Sequence, residues 1–439
     1  MRMPPPLSSG GFRALWLAGL ISDTGDWLLL IALPVVVYDV TGSALGTSVA
    51  FLVELLPGIV LAPLAGWCAD RWDRRRVLMA TSLAQAVALL PLVAVHTRAD
   101  LPILYAVMLA EAWLLTLFDP AKNALLANLV PARDLVAANS LVGLGQNLAR
   151  LLGGPLGGVL LAVGGLQSVL VVDLLSYLAA AVFIGRLRAE PAVRPDPPAT
   201  VAPTIRRGSF AAVLGSARLR ATLLMTFVSQ IAQGAFVVLF VLFVEQRLHG
   251  DAAEVGLLRG VQAIGAIAGG LVLTGLARRW PAARLIAGSA LAFGFLDLLV
   301  WNGPAVTTAA PFYVVLFVLI GAPGIVFGTA LITVLQTDAP AHQHGRVFSA
   351  AGFASNTGQV IGMLLAGLLE TRIGLLSLLN AQAGLYLATG ALAAGLAVAG
   401  TGRPPVVSRS ARATRRGSPG RRPRPDRWAR PALARRTGR

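Results

Sequence analysis

Six ionisable side chains interrupt long apolar runs in this 439-residue sequence: Asp23, Asp26, Glu54, Glu111, Arg150 and Asp297. Runs of about 20 apolar residues cross a bilayer as helix. A charge held in mid-membrane costs about 2.5–3.5 kcal/mol on insertion scales, so each of the six needs a role or a partner. Acid-heavy interiors suit proton carriage or a cationic cargo. Arg150 suits pairing with one of the acids or holding an anionic group. Asp23 and Asp26 stand three apart, which places them on one helical face. For every one of these groups the rival reading is structural pairing with a neighbour. Asp173, near the outer end of a run, is expected at the membrane interface. Gln146, Asn147, Gln230, Gln233, Asn356 and Gln359 supply amides for lining a cavity or for bonding between helices.

The elements that must position these groups follow from composition. The chain is 56% hydrophobic and only 13% charged, whereas soluble domains carry about a quarter charged residues. The apolar runs recur from end to end and are continuous rather than alternating, which excludes a β-barrel and leaves helices. Twelve runs have sufficient length: 13–38, 43–66, 77–96, 101–121, 137–163 and 167–187, then 220–245, 253–276, 284–302, 310–333, 347–369 and 373–399. A proline- and charge-rich linker, 188–219, divides them six and six. The expected fold is an all-α polytopic membrane protein with twelve transmembrane helices in two pseudo-symmetric six-helix bundles, 13–187 and 220–399. A short cytoplasmic segment, 1–12, precedes them and a disordered basic tail, 400–439, follows.

The basic residues fix an orientation. With the N-terminus inside, the inner segments hold 32 lysines and arginines and the outer loops three, Arg98, Arg247 and Arg372. Positive charge collects on the cytoplasmic side, so both termini are expected there, in a multi-pass protein of the cell membrane. Much of the net charge of +17 sits in the tail, where thirteen arginines face one acid, Asp426. That block reads as an anchor near anionic lipid headgroups. It does not read as a nucleic-acid site, since Trp428 is its only aromatic residue. Cys68 is the only cysteine, which excludes an internal disulfide, and the four histidines show no metal-ligand pattern. No G-x-x-x-x-G-K-[ST] and no Ser/His/Asp constellation is present, so neither nucleotide hydrolysis nor other enzyme activity is expected, and no cofactor or metal. The first apolar run is too long for a cleaved signal and is expected to be retained.

The two halves echo each other: residues 127–158 and 334–367 each pair a polar, proline-bearing loop with a span rich in Gly, Ala, Asn and Gln. Between the second and third spans, Gly66, Asp70, Arg71, Arg74 and Arg75 form G-x-x-x-D-R-x-x-R-R. This resembles the signature loop of the major facilitator superfamily. Residues 23–43, 118–126 and 345–349 resemble one branch of it, the transmembrane secretion effector, enterobactin-exporter-like and macrolide-efflux-like carriers. Gly154, Pro155 and Gly158 resemble part of the antiporter glycine–proline motif, with Arg150 in place of one of its glycines. Asp73 stands where the signature has glycine, and Glu111 occupies the span in which many proton antiporters carry arginine.

The resemblance implies a secondary active transporter that moves a small-molecule substrate across the lipid bilayer by alternating access, driven by the proton gradient and functional as a monomer. Efflux of amphipathic organic compounds, drugs or siderophore-like metabolites, is the first expectation; an importer or uniporter of a small metabolite is the second. It also implies a gate in which Asp70 accepts bonds from the N-terminal amides of the eleventh span. Arg71 or Arg75 would then pair with Asp119.

Overall fold

The protein's structure, a computed structural model, describes residues 7, 9–61, 72–95, 97–131, 134–187, 217–276, 279–339 and 344–401, and they are helical almost throughout. In chain order the helices are α1 (Gly10–Thr41), α2 (Ala44–Val60), α3 (Arg74–Ala88, extended by a 3-10 turn at Leu90–Ala94) and α4 (Leu101–Leu129). A 51-residue helical run, Leu135–Gly185, follows. It is broken at Gly165, which adopts φ 65° and ψ −169°. We number its arms α5 (135–164) and α6 (166–185). The second half comprises α7 (Ala217–Phe243, continued by a π turn at Val244–Leu248), α8 (Ala252–Leu276), α9 (Ala282–Asn302), α10 (Ala310–Asp338), α11 (His344–Ile373) and α12 (Leu375–Thr401).

Ten of the helical runs are long and apolar enough to cross a membrane. The run 135–185 counts once among them although Gly165 divides it into two spans. The 17-residue α2 leads directly into residues outside the described set. With those two, the helices correspond to the twelve expected spans. Residues 217–219, assigned to the linker on composition, already belong to α7. Residues 188–216 and 402–439 lie outside the described residues.

Lipid offers the backbone no partners, so each span closes its own hydrogen bonds and tolerates proline where neighbouring helices cover the gap. Pro34, Pro57, Pro120, Pro155 and Pro323 all lie inside helices. Turns are made by local chemistry. Gly42 ends α1 in the left-handed region (φ 61°), where glycine carries no Cβ penalty, and its N–H returns to the Tyr38 carbonyl at 2.7 Å. Ser43 then caps α2, accepting from the Gly46 N–H. Asp73, the residue that departs from the family signature, caps α3: its Oδ1 accepts the Arg76 N–H at 2.8 Å. A helix start needs such an acceptor, and glycine supplies none.

The break at Gly165 has a predictable cost if altered. Its backbone lies in a region that only glycine occupies readily, where other residues are strained by about 1–3 kcal/mol. The Ser168 hydroxyl lies 2.6 Å from the Leu160 carbonyl and 2.8 Å from that of Gly165, tying the two arms together. Gly165→Ala is expected to lower the melting temperature of the purified protein, while Gly58→Ala, where a Cβ meets open space, leaves it unchanged within error.

The helices pack around several apolar cores. Odd-numbered helices run from the face bearing the N-terminus to the far face, and even-numbered helices return. Toward the far face, one core combines Ile31, Val35 and Phe51 of the first half with Phe240, Phe243 and Trp301 of the second. Toward the N-terminal face the cores are separate: Phe12, Val77 and Phe118 belong to one, Met225, Leu285 and Phe327 to another. The halves are therefore joined at one end and packed individually at the other.

Candidate translocation site

Three of the six in-span ionisable groups meet around one cavity in the first half. Asp26 on α1, Glu54 on α2 and Glu111 on α4 line a space of about 410 Å³, together with Gln85 of α3, Tyr177 of α6 and otherwise mainly apolar walls. Asp119 joins them one helical stretch further along α4. The Tyr177 hydroxyl is the hub: it lies 2.7 Å from Asp26 Oδ1 and 3.1 Å from Glu111 Oε2. A tyrosine hydroxyl carries one proton, so it can donate to only one of two acceptors. The other contact is satisfied when a carboxyl donates its own proton to the phenol oxygen. Gln85 also bears on the Glu111 carboxyl, whose Oε1 is buried.

A close approach of α1 and α6 makes this possible. A Cβ at Gly25 would strike Asp173 Oδ1 and the Ser176 hydroxyl, so only glycine lets α6 lie against α1 beside Asp26. Asp173 is consequently fully buried, accepting from Ser176 at 3.0 Å. Asp173, expected at the membrane interface, is thus packed between helices.

Asp23 does not join the cavity. It faces Lys122 of α4 at 3.4 Å, and Lys122 also meets Asp119 at 3.1 Å. Successive helix positions three apart differ by about 60° around the axis. That is enough to send Asp23 and Asp26 to different neighbours despite their shared face. Lys122, counted from sequence as a loop cation, is a buried counter-ion between two aspartates. Of the two cations expected to pair with Asp119, Arg71 lies outside the described residues and Arg75 bonds elsewhere. Arg75 Nε donates to the Ile184 carbonyl at 3.2 Å and its terminal nitrogen to that of Gly185, at the end of α6. Cations there satisfy carbonyls that a helix end leaves open. Lys122, one turn from Asp119, pairs with that carboxylate. Arg74 contacts the Ala124 carbonyl at 3.5 Å. Gly66, Asp70 and Arg71 lie outside the described residues.

Asp297 sits apart, in the second half. It is fully buried and accepts from Gln382 of α12 at 2.9 Å, and Gln382 in turn accepts from the Trp301 indole at 3.0 Å. Gln230 bonds Ser355, and Tyr386 donates to Gln233 at 3.4 Å, so these amides bond between helices.

The halves are connected by glycine. Gly154 and Gly158 of α5 face Gly256 and Gly260 of α8: a Cβ at Gly154 would stand 2.9 Å from the Gly256 carbonyl oxygen, and one at Gly158 would strike the Ala252 carbonyl. Pro155 packs on Gly260 in the same contact. Small residues four apart on both helices allow this backbone-to-backbone approach. Arg150, one turn from Gly154, extends the contact by donating to the Arg259 carbonyl at 3.0 Å and to the Gln262 side chain. The far face adds Ser48 of α2 donating to the Met363 carbonyl of α11 at 2.9 Å, and Gln246 of α7 donating to the Tyr38 hydroxyl at 2.6 Å.

Tyr177 and Arg259 were not singled out as site residues from sequence. Asp173 and Tyr177, a polar pair four apart within an apolar run, were the available signal for the first.

Comparison with known proteins accords with this architecture. The profile of the Major Facilitator Superfamily matches residues 15–363 and 222–434. The chain is 28% identical over 398 residues to an uncharacterized MFS-type transporter, YfiS, of Bacillus subtilis, covering 85% of this chain and 90% of that protein. It is 27% identical over 390 residues to the multidrug efflux pump Tap of Mycolicibacterium fortuitum, covering 83% and 90%. It is 30% identical over 376 residues to the enterobactin exporter EntS of Citrobacter koseri, covering 81% and 84%. Among solved structures, a bacterial homologue of the iron transporter ferroportin in an inward-facing state superposes with a TM-score of 0.70 at 17% identity, covering 89% of this chain and 98% of that one. A bacterial homologue of the lysosomal transporter Spinster gives 0.63 at 15% identity, covering 90% and 96%. The sequence match runs from α1 to α12, through the acids, the arginines and the glycine contact alike, and the chain is therefore a multi-pass membrane transporter of the Major Facilitator Superfamily.

Proposed function

We propose that this transporter is a proton-coupled exporter of amphipathic organic compounds, drugs or siderophore-like metabolites, working by alternating access with both termini in the cytoplasm and as a monomer. The observation that carries the reading is the acid-lined cavity. Asp26, Glu54 and Glu111 surround one space of about 410 Å³ whose remaining walls are mainly apolar, and the Tyr177 hydroxyl lies within hydrogen-bond distance of two of them. An apolar pocket with a few convergent polar groups suits an amphipathic ligand. Carboxyls in mid-membrane suit proton carriage. The likeness to Tap and EntS favours outward movement, and the excess of basic residues in the inner segments supports the orientation. No catalytic chemistry is assigned to the chain.

The rocking that alternating access requires has a counterpart in the cores. The halves share apolar contacts toward the far face and keep separate cores toward the N-terminal face, so one face can part without unpacking either half.

The test is accumulation of fluorescent hydrophobic compounds in a host stripped of its own pumps. Expression of the chain is expected to lower accumulation of at least one compound, and a protonophore is expected to restore it. Unchanged accumulation across a broad panel, with uptake of a labelled metabolite instead, would replace export by import. Export that persists after the pH gradient collapses would remove the proton from the scheme.

A further inference from the structure

Arg150 and Arg259 form a second charged cluster, distinct from the acid-lined cavity. Arg150 projects from α5 of the first half and Arg259 from α8 of the second. Both guanidinium groups approach the Trp27 ring of α1, at 5.3 and 5.9 Å from its centroid. Arg259 also lies over Phe236 at 5.1 Å and Phe240 at 5.9 Å, both on α7. Neither arginine pairs with a carboxylate among the described residues. The charge that bears on Arg259 is that of Arg150.

Two like charges side by side within the span are unfavourable unless something neutralises them. Packing explains only one. Arg150 spends donors on the Arg259 carbonyl and on Gln262, which extends the glycine contact between α5 and α8. The guanidinium of Arg259 meets aromatic faces and no acceptor among the described residues, and the residue as a whole is half-buried. An arginine fork of this kind presents paired donors matched to the two oxygens of a carboxylate or similar oxyanion. The surrounding rings would stack on an aromatic body.

We infer that Trp27, Arg150 and Arg259 form a recognition site for organic anions, an oxyanion carried on an aromatic or similarly flat apolar frame. The site takes residues from both halves, so its ligand bridges the elements that must move. This deepens the reading given above and rests on it. Of the two uses that acids within the span suggested, the carboxyls serve the proton and the arginines serve the cargo.

The experiment compares three molecules of the same shape on the purified full-length protein by titration calorimetry: 2-naphthoate, 2-naphthalenemethanol and 2-naphthylmethylamine. The carboxylate is expected to bind at least about tenfold more tightly than the neutral alcohol or the amine, as one charge-assisted bonded pair supplies. Arg150→Gln and Arg259→Gln are each expected to reduce 2-naphthoate binding to the level of the alcohol. Equal affinities, a preference for the amine, or no detectable binding of any of the three overturns the inference. A carboxylate preference that survives both substitutions overturns it as well. The three-way comparison uses the unaltered chain, so it decides even where an arginine variant does not fold. Binding is read without transport, so an anion preference alongside failed export would separate this site from the direction and coupling proposed above.

Discussion

Glu111→Gln is expected to cut gradient-driven flux by at least about 100-fold, a loss on the scale of removing a proton-transfer group. Exchange of substrate across a membrane without a pH gradient is expected to continue. The reasoning begins with proton arithmetic at Tyr177, whose hydroxyl touches Asp26 at 2.7 Å and Glu111 at 3.1 Å. One hydroxyl proton cannot serve both contacts, so both are hydrogen bonds at once only when a carboxyl supplies a second proton. Glutamine keeps the size of glutamate and can still bond to Tyr177, but it neither binds nor releases a proton. The substitution separates two roles: a structural hydrogen bond survives it and proton exchange does not. Tyr177→Phe is the companion variant, which removes the bridge and leaves both carboxyls, and its expected loss is smaller. Full flux with an unchanged response to pH in Glu111→Gln would show that the proton travels elsewhere, Asp297 being the next buried acid to test.

Gly256→Leu carries the other large effect: the protein is expected to reach the membrane yet lose transport by at least about tenfold. A Cβ at Gly256 would collide with the Gly154 carbonyl, and one at Gly158 with that of Ala252. These are backbone atoms, which cannot swing aside as a side chain can. Forcing bulk into a filled contact costs about 1–3 kcal/mol, and 1.4 kcal/mol is tenfold in an equilibrium. The cost falls on the arrangement in which α5 and α8 are joined and not on one in which they have parted, so the balance between the two shifts. Gly384→Leu is the control, since a Cβ there meets nothing within 4 Å. Equal transport by Gly256→Leu and Gly384→Leu would mean that the α5–α8 contact takes no part in the cycle.

The depth of each charged group was legible in the sequence; its direction was not. Counting residues into each apolar run placed Asp26, Glu54 and Glu111 well inside the membrane, and they do share a cavity. The side of the helix that each one faces is another matter. In a soluble protein the polar face of a helix announces itself, but helices bathed in lipid are apolar all round. Asp23 and Asp26 therefore read as one pair and turn out to serve different neighbours. Lys122 read as a loop cation because it stands one residue past the apparent end of a run at 121; α4 continues to Leu129 and buries it. Asp73 is the converse case, a departure from the family signature that the sequence left unexplained and that a single capping bond accounts for. Glycine spacing was informative throughout. Gly154 and Gly158 were picked out by resemblance, and the structure shows their partners, Gly256 and Gly260, with the same four-residue interval.

The break at Gly165 has a mechanical corollary. One residue joins the arm that bears on the second half, through Gly154 and Gly158, to the arm that bears Tyr177. There is no slack between them, and Ser168 clamps the corner to the Leu160 carbonyl. The two arms thus behave as a bent lever with Gly165 as its fulcrum, and a tilt imposed on one is delivered to the other. Motion at the glycine contact and the position of the Tyr177 hydroxyl are geared together, and lengthening the corner by a few flexible residues would disengage them.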